Sequence, residues 1–229
     1  MRISVVVPVH NDERYLAEAI ESIRANSLAP CEVIVVDDGS SDGSGDVARS
    51  FAEVRYVRQE AAGAAQARNH GISLCTGDWV AFLDADDLWT PNKLELQAAA
   101  LLRDPGLDGV FGSVVQFSHQ EDRLVEEEPK VGQLLGGWLV RRQLFERVGL
   151  FDSRYRMGEF IDWCLRSQEL GCRYGTIPEV VLRRRLHERN MGRTEKENRQ
   201  DYARVVMAAL RRRKSGLSSP DDSDCVKTD

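Results

Sequence analysis

The sequence has no long hydrophobic run. None of its apolar segments approaches the roughly 20 residues that span a lipid bilayer, and its first residues lack the layout of a secretory signal peptide. The five cysteines are scattered and form no C-x-x-C pair. These absences predict a cytoplasmic protein with reduced thiols and without a transmembrane span.

Two phosphate-binding signatures are also missing. No G-x-G-x-x-G follows the first strand-like segment and no G-x-x-x-x-G-K-[ST] occurs anywhere, which argues against dinucleotide-binding dehydrogenases and P-loop NTPases. The formal net charge of −6 gives no global basic field, so nucleic acid is not an expected partner. Basic residues are dense only between Arg183 and Lys214. This stretch could touch an anionic membrane surface, although a solvated helix face or a subunit contact is the default interpretation.

Strand-like and helix-like segments alternate through roughly the first hundred residues. The strand-like segments are almost entirely apolar, and the first helical pattern carries Tyr15 and Leu16 on its apolar face. This alternation is typical of a parallel sheet that is covered on both faces. We therefore predict an α/β fold with a mostly parallel central sheet flanked by helices. The later segments are less regular, and the acidic stretch at 121–129 is predicted to be a loop.

Carboxylates collect where the predicted strands end. The segment WVAFLDADD (residues 79–87) runs from an apolar strand into Asp84, Asp86 and Asp87, and Asp37 and Asp38 end the second strand. The carboxyl ends of parallel strands lie on one edge of a sheet, so these clusters should share a rim. Neighbouring carboxylates repel each other and resist burial unless a cation neutralises them, and their oxygens suit Mg²⁺ or Mn²⁺. The rim therefore predicts a site for a phosphorylated, nucleotide-bearing substrate.

The local chain conformation refines this expectation. In an extended chain, residues two apart lie on the same side, so Asp84 and Asp86 could face one metal diphosphate together. Asp87 would then cap the following turn.

Four motifs occur in one order along the chain: VVPVHN (6–11), VVDDGSSD (35–42), GAAQARNHG (63–71) and FLDADD (82–87). Together with the later VGLFD (148–152) and HERN (187–190), they resemble the family 2 glycosyltransferases of the GT-A fold. The resemblance covers roughly residues 2–193. It implies a GT-A glycosyltransferase domain over 1–193, followed by a charged helix over 194–214 and a disordered tail over 215–229.

The resemblance implies a nucleotide pocket. Pro8 and the residues after it, His10 and Asn11, would line this pocket by backbone contacts. Asp38, together with Asp37, would hydrogen-bond the base, because a carboxylate accepts from a base N–H. One of the two carboxylates can cap the turn while the other stays free, which favours Asp38 as the base-binding residue.

The resemblance also implies a site for the donor diphosphate and its cation, Mn²⁺ or Mg²⁺. Asp86 would contact the metal directly, and Asp84 would be a second ligand or a contact to the ribose, with Ala85 between them. Arg68 would meet phosphate or hold the acidic rim together; a helix-face arginine paired with a surface acid is its structural alternative. His187 would bind metal or phosphate.

Arg193 belongs to the same closing segment over the diphosphate as His187. An inverting transferase also needs a base near the acceptor hydroxyl. The family usually presents Glu-Asp at the start of the helix that begins here at Glu159, but the expected Asp is Phe160. The base is therefore either Glu159 or Asp162, and favourable charge at a helix N-terminus is the non-catalytic interpretation of Glu159.

Taken together, the resemblance implies inverting, metal-dependent transfer of a sugar from a nucleotide diphosphate sugar, with UDP favoured, to an acceptor nucleophile. The acceptor could be a glycan, a lipid, a peptide or a small metabolite. A sugar-1-phosphate nucleotidylyltransferase is one alternative, but it would need a glycine-rich, basic loop after the first strand. A transferase-like module that binds nucleotide sugars without turnover is the other, and Phe160 keeps it open.

Overall fold

The computed structural model describes residues 1–120, 123–188, 190 and 200–216. Its strands are β1 Ile3–Val9, β2 Glu32–Asp38, β3 Val54–Gln59, β4 Trp79–Phe82, β5 Leu88–Trp89, β6 Gly109–Gln120, β7 Arg123–Glu126, β8 Lys130–Val131, β9 Trp138–Arg141 and β10 Tyr174–Arg185. Its helices are α1 Leu16–Arg24, α2 Ser44–Arg49, α3 Ala64–Leu74, α4 Lys93–Arg103, α5 Leu144–Arg147, α6 Glu159–Glu169 and α7 Gln200–Gly216.

All described strands belong to one sheet with the order β3-β2-β1-β4-β9-β6-β10-β5, and β7 and β8 both pair with β6. The first four strands are parallel to one another, as the apolar alternation predicts. The second half makes the sheet mixed. Strand β9 runs antiparallel to both β4 and β6, whereas β10 is parallel to β6. The predicted α/β class is confirmed.

Each face of the sheet has its own hydrophobic core. Val5, Val7 and Val9 of β1 join the core beneath α1, α2 and α4, while Val6 joins the core beneath α3, α5 and α6. Successive side chains of a strand point to opposite faces, so a strand covered on both sides must be apolar at every position. Helix α7 lies outside this second layer, where it contacts α6.

Helix α3 approaches the sheet unusually closely. A Cβ atom added at Gly71 would clash with Cγ1 of Val6, so a larger residue at this crossing would force the helix or Val6 to shift. The close approach brings the polar residues of α3 to the carboxyl ends of the strands.

The acidic stretch is not entirely a loop, so that prediction is wrong. Strand β7 pairs antiparallel with β6, with Glu126 opposite Phe117. All four residues of β7 are exposed, so no apolar alternation marks the strand in the sequence. Residues 121 and 122 lie outside the described part.

The C-terminal predictions are met only in part. Helix α7 runs over Gln200–Gly216 and ends two residues beyond the predicted limit. The first residues of the predicted helix and most of the predicted tail lie outside the described residues, so the disorder of the tail stays a prediction. None of the helices that the structure describes combines the length and the hydrophobicity needed to cross a bilayer.

Candidate active site

The carboxyl ends of β1, β2 and β4 meet at one edge of the sheet. Val9 is in register with Asp37 on β2, and on the other side the Leu83 amide donates to the Val6 carbonyl oxygen at 3.1 Å. The segments that follow these strands therefore share one rim, which confirms the convergence that the sequence predicts.

Asp37 is a structural residue of this rim. Its side chain is fully buried, and it accepts hydrogen bonds from the Ser40 amide at 2.7 Å and the Tyr56 hydroxyl at 2.6 Å. Burial disfavours the ionised form, but the hydrogen bonds from Tyr56 and Ser40 outweigh it and lower the pKa of Asp37. Asp37 thus holds the turn after β2.

The expectation that Asp38 stays free is wrong. One of its oxygens accepts from the Gln59 amide group and from the Ala62 backbone, and the other accepts from the Gly63 backbone, each at 2.8 Å. Asp38 therefore ties β2 to the segment that enters α3. A carboxylate has about four acceptor positions, so a contact with the base stays a prediction.

The segment after β1 forms a fixed polar surface beside Asp38. Nδ1 of His10 lies 2.7 Å from the Asp38 carbonyl oxygen, and its Nε2 lies 3.0 Å from Nδ2 of Asn11. The Asn11 side chain accepts from the Ser41 amide at 2.8 Å. Pro8 is half-buried within β1, and His10 is exposed. The imidazole is therefore held in place at the surface of the rim.

Arg68 of α3 joins two acidic side chains from distant parts of the sequence. It donates to Asp84 at 2.8 Å and to Glu159, the first residue of α6, at 2.5 Å. Arg68 is only 7% exposed. Burial opposes its charge, but the two carboxylates outweigh burial and raise the pKa of the guanidinium. Its Nε has no hydrogen-bond partner among the residues that the structure describes.

The second aspartate of the pair faces different partners. Asp86 lies 3.0 Å from Nε2 of His187 and 3.1 Å from Nδ2 of Asn190. His187 reaches this point because β10 ends next to the Asp84–Asp87 segment. Burial and the neighbouring charge of Asp84 raise the pKa of Asp86. His187 thus lies beside the predicted metal ligand, whereas Arg193 is outside the described residues.

Two details of the D-x-D segment need correction. The segment is not extended, because the Asp87 amide donates to the Asp84 carbonyl oxygen at 3.0 Å and closes a turn. Asp87 does not cap this turn. Its buried carboxylate accepts from the Arg185 amide at 2.8 Å, and burial and the neighbouring aspartates raise its pKa well above the usual range. Ala85 is 3% exposed and packs in the core, so only its backbone can contact a ligand.

The rim offers a partial set of metal ligands. Within the described ranges, no group of three His, Cys, Asp or Glu side chains forms a ready metal cage. Mg²⁺ is usually held by one or two carboxylates together with substrate phosphates. Asp84 and Asp86 therefore fit a cation that is bound jointly with a diphosphate, and a cation would also relieve the repulsion that raises the pKa of Asp86.

The two candidate bases lie in different environments. Asp162 has a 3% exposed side chain and is paired with Arg166 at 2.8 Å and Arg212 of α7 at 3.4 Å. It lines a cavity of about 360 Å³ between α6, α7 and the 150–155 loop. Asp162 therefore holds α7 against α6, and its role as the base stays a prediction beside that of Glu159. Phe160 lies in the aromatic core, 5.2 Å from Trp138 between ring centroids.

Three residues to which the sequence assigns no specific role also organise the site. Asn69 donates to the Phe151 carbonyl at 2.8 Å and accepts from its amide at 3.0 Å, which ties the segment before α6 to α3. Its signal is the polar Arg-Asn pair in an alanine-rich helix. The Tyr15 ring lies 5.0 Å from the His187 ring. No local pattern signals the contact of Tyr15, because its partner is far away in sequence, whereas Asn190 belongs to the HERN motif and accepts from the nearby His187 amide.

A mixed α/β sheet with an acidic rim after its parallel strands is the architecture of a GT-A glycosyltransferase. Residues 4–161 match the family described as glycosyl transferase family 2, and the chain belongs to this family. It is 43% identical over 183 residues to the glycosyltransferase GlyG of Streptococcus pneumoniae, covering 66% of this chain and 60% of GlyG. It is 31% identical over 235 residues to EpsE of Bacillus subtilis, covering 95% of this chain and 84% of EpsE.

Solved structures share the fold. The crystal structure of S. aureus TarS 1-349 in complex with UDP aligns with a TM-score of 0.71 and 18% identity, covering 97% of this chain and 67% of that one. The same protein in complex with UDP-GlcNAc aligns with a TM-score of 0.69 and 20% identity, covering 83% of this chain and 60% of that one. At these identities the likeness shows the GT-A fold alone.

Proposed function

We propose that this protein transfers a sugar from a nucleotide diphosphate sugar to an acceptor nucleophile, with inversion at the anomeric carbon. The observation that carries the proposal is the Arg68 bridge, which holds the Glu159 carboxylate at the same rim as Asp84. A candidate base and a candidate diphosphate site therefore lie on either side of one buried guanidinium.

The donor is proposed to be a UDP-sugar. TarS, which has the same fold, has been crystallised with UDP and with UDP-GlcNAc. In this chain, the exposed imidazole of His10 and the backbone around Asp38 provide the surface on which the nucleotide would lie. Arg68 adds a permanent positive charge beside Asp84.

Metal dependence is part of the proposal. Asp86 and Asp84 would hold Mn²⁺ or Mg²⁺, and His187 would bind the metal or a phosphate oxygen. The cation would supply charge neutralisation for the diphosphate. The hydrogen bonds from His187 and Asn190 orient the Asp86 carboxylate. This orientation restricts the directions from which a metal ion could approach its oxygens.

Glu159 is proposed as the general base. The acceptor hydroxyl would give its proton to this carboxylate while its oxygen attacks the anomeric carbon. The bond from that carbon to the diphosphate would break on the opposite face, and the nucleoside diphosphate would leave with the electron pair. Arg68 donates a hydrogen bond to Glu159 and holds its carboxylate in a single orientation.

The test is release of UDP from a panel of UDP-sugars by the purified chain, with and without Mn²⁺. Glu159→Gln should lower turnover by about 10²-fold or more while nucleotide binding persists. Glu146→Gln, the same change at an exposed position of α5, is the matched control and should turn over like wild type. A folded chain that binds no nucleotide sugar in the presence of Mn²⁺ contradicts the proposal.

A second candidate is binding of the nucleotide sugar without turnover. The observation in its favour is Phe160, an apolar core residue at the position where the family usually has Asp. Nucleotide-sugar binding by calorimetry, combined with no UDP release across the acceptor classes, would identify this function. Family membership gives no support to a nucleotidylyltransferase.

A further inference from the structure

The outer face of α7 carries a stripe of large apolar side chains. Tyr202, Val206 and Leu210 recur every four residues, so they form one line along the helix, and Met207 lies beside it. Their exposed fractions are 39%, 51% and 46%, and Met207 is 51% exposed. We call these four residues the α7 stripe. No residue that the structure describes buries it.

The face of α7 next to the α7 stripe is already fixed to the domain. Val205 and Ala209 are buried, and α7 contacts α6. Arg212 pairs with Asp162 at 3.4 Å and with Glu169 at 2.8 Å. The helix therefore cannot turn the α7 stripe inward without breaking this packing, and the stripe remains available for an outside partner.

The charged side chains that α7 carries after Asp201 have one sign. Residues 202–214 contain five basic side chains and no Asp or Glu. Arg213 and Lys214 are exposed in the last turn, at the Leu210 end of the stripe. An apolar stripe edged by basic residues is the combination that binds the interface of an anionic bilayer, where acyl chains receive the apolar side chains and headgroups receive the charges.

We propose that α7 docks this protein on an anionic lipid surface through the α7 stripe and its basic end. A second copy of the chain is a poorer fit, because it would bring two faces of the same charge together. This inference concerns where the protein binds, and it does not require the proposed sugar transfer.

Docking would place the candidate active site next to the lipid surface. The Asp201 carboxylate of α7 accepts from the backbone amides of Arg156 at 2.9 Å and Met157 at 3.4 Å, which lie three and two residues before Glu159. A Cβ at Gly158 would lie 3.2 Å from the Tyr202 ring. The docking helix and the start of α6 are thus in direct contact.

The test is co-sedimentation of the full chain with vesicles of phosphatidylcholine that contain about 30% phosphatidylglycerol. Binding is expected, should weaken as salt rises, and should be much weaker with pure phosphatidylcholine. The double variant Val206→Ser/Leu210→Ser and the double variant Arg213→Gln/Lys214→Gln should each lower the partition coefficient by about tenfold or more.

Leu102→Ser is the matched control. Leu102 is 75% exposed on α4, which covers the other face of the sheet, so this variant should bind vesicles like wild type. Circular dichroism checks that each variant is folded, and the charge variant gives an independent measurement should the serine variant not fold. Three results would overturn the proposal: no vesicle binding by wild type, undiminished binding by the folded double variants, or a solution dimer that Val206→Ser/Leu210→Ser dissociates. UDP release measured without vesicles tests the sugar transfer separately.

Discussion

Replacing Arg68 with methionine should destabilise the protein strongly, because it leaves two carboxylates without their common partner. Arg68 is 7% exposed, and the Glu159 side chain is 12% exposed, so Glu159 would stay largely buried with an uncompensated charge. Removing one partner of a buried ion pair costs about 3–5 kcal/mol. Asp84 is more exposed and can regain water, so we expect about 3 kcal/mol, at the lower end.

The assay is urea unfolding of a double-mutant cycle. Wild type, Arg68→Met, Glu159→Gln and the double variant would be compared, and the double variant should be more stable than the sum of the single changes by about 1–3 kcal/mol. In thermal unfolding, Arg68→Met should lower Tm by about 6–12 °C. The control is Arg173→Met, which removes an exposed ion pair with Asp104 and should cost no more than about 1 kcal/mol.

Two results would refute this reasoning. If Arg68→Met costs no more than the exposed control Arg173→Met, the bridge does not hold the rim to α6. If the effects of Arg68→Met and Glu159→Gln simply add, the guanidinium does not act on Glu159, and the proposed placement of the base loses its support.

Three further predictions test other parts of the structure. Burial lowers the pKa of Lys93 well below its usual value, so only the unfolded chain takes up this proton as pH falls below about 10. The free energy of unfolding should therefore decrease from pH 10 to pH 8. Lys93→Met should flatten that slope in urea titrations. Asp162→Asn should lower the free energy of unfolding by about 2 kcal/mol, because it weakens the pairs with Arg166 and Arg212. The folded variant should keep its kcat in the UDP-release assay, and a loss of kcat would instead support Asp162 as the base. Gly71→Ala should cost about 1–3 kcal/mol, because the new methyl group meets Val6, and Gly71→Ala/Val6→Ala should recover part of this loss by the same measurement.

The sequence predicts the parts of the fold that local patterns control. The four parallel strands are apolar because both of their faces are buried, so their pattern is visible in the residues themselves. Strand β7 is exposed on all four residues, and β5 has only two, so neither leaves a periodic signal. Strand β10 extends to Arg185, where it pairs with Phe117 of β6, a contact between distant segments that no local pattern records.

The sequence likewise predicts only part of the candidate site. The shared rim follows from parallel strands, so the positions of Asp37, Asp38 and Asp84 are predictable from the order of elements. Their hydrogen-bond partners are not, because each partner comes from another segment. The Asp38 carboxylate accepts a hydrogen bond from the backbone just before α3, and the Asp162 carboxylate accepts one from Arg212 of α7. A carboxylate in a motif therefore shows where a site lies, but not which of its oxygens remains for a ligand.

The adjacent residues Arg68 and Asn69 give α3 a part in setting the position of the candidate base. The Arg68 side chain holds Glu159. The Asn69 side chain hydrogen-bonds both the backbone amide and the carbonyl of Phe151, in the segment before α6. Gly71 lets α3 pack directly against β1, so α3 has a fixed position on the sheet that carries the acidic rim. The contacts of Arg68 and Asn69 therefore position the start of α6 relative to that sheet. The start of α6 is thus fixed relative to Asp84 from outside α6. A carboxylate at position 159 can therefore remain at the rim even though position 160 is occupied by a phenylalanine that packs in the core.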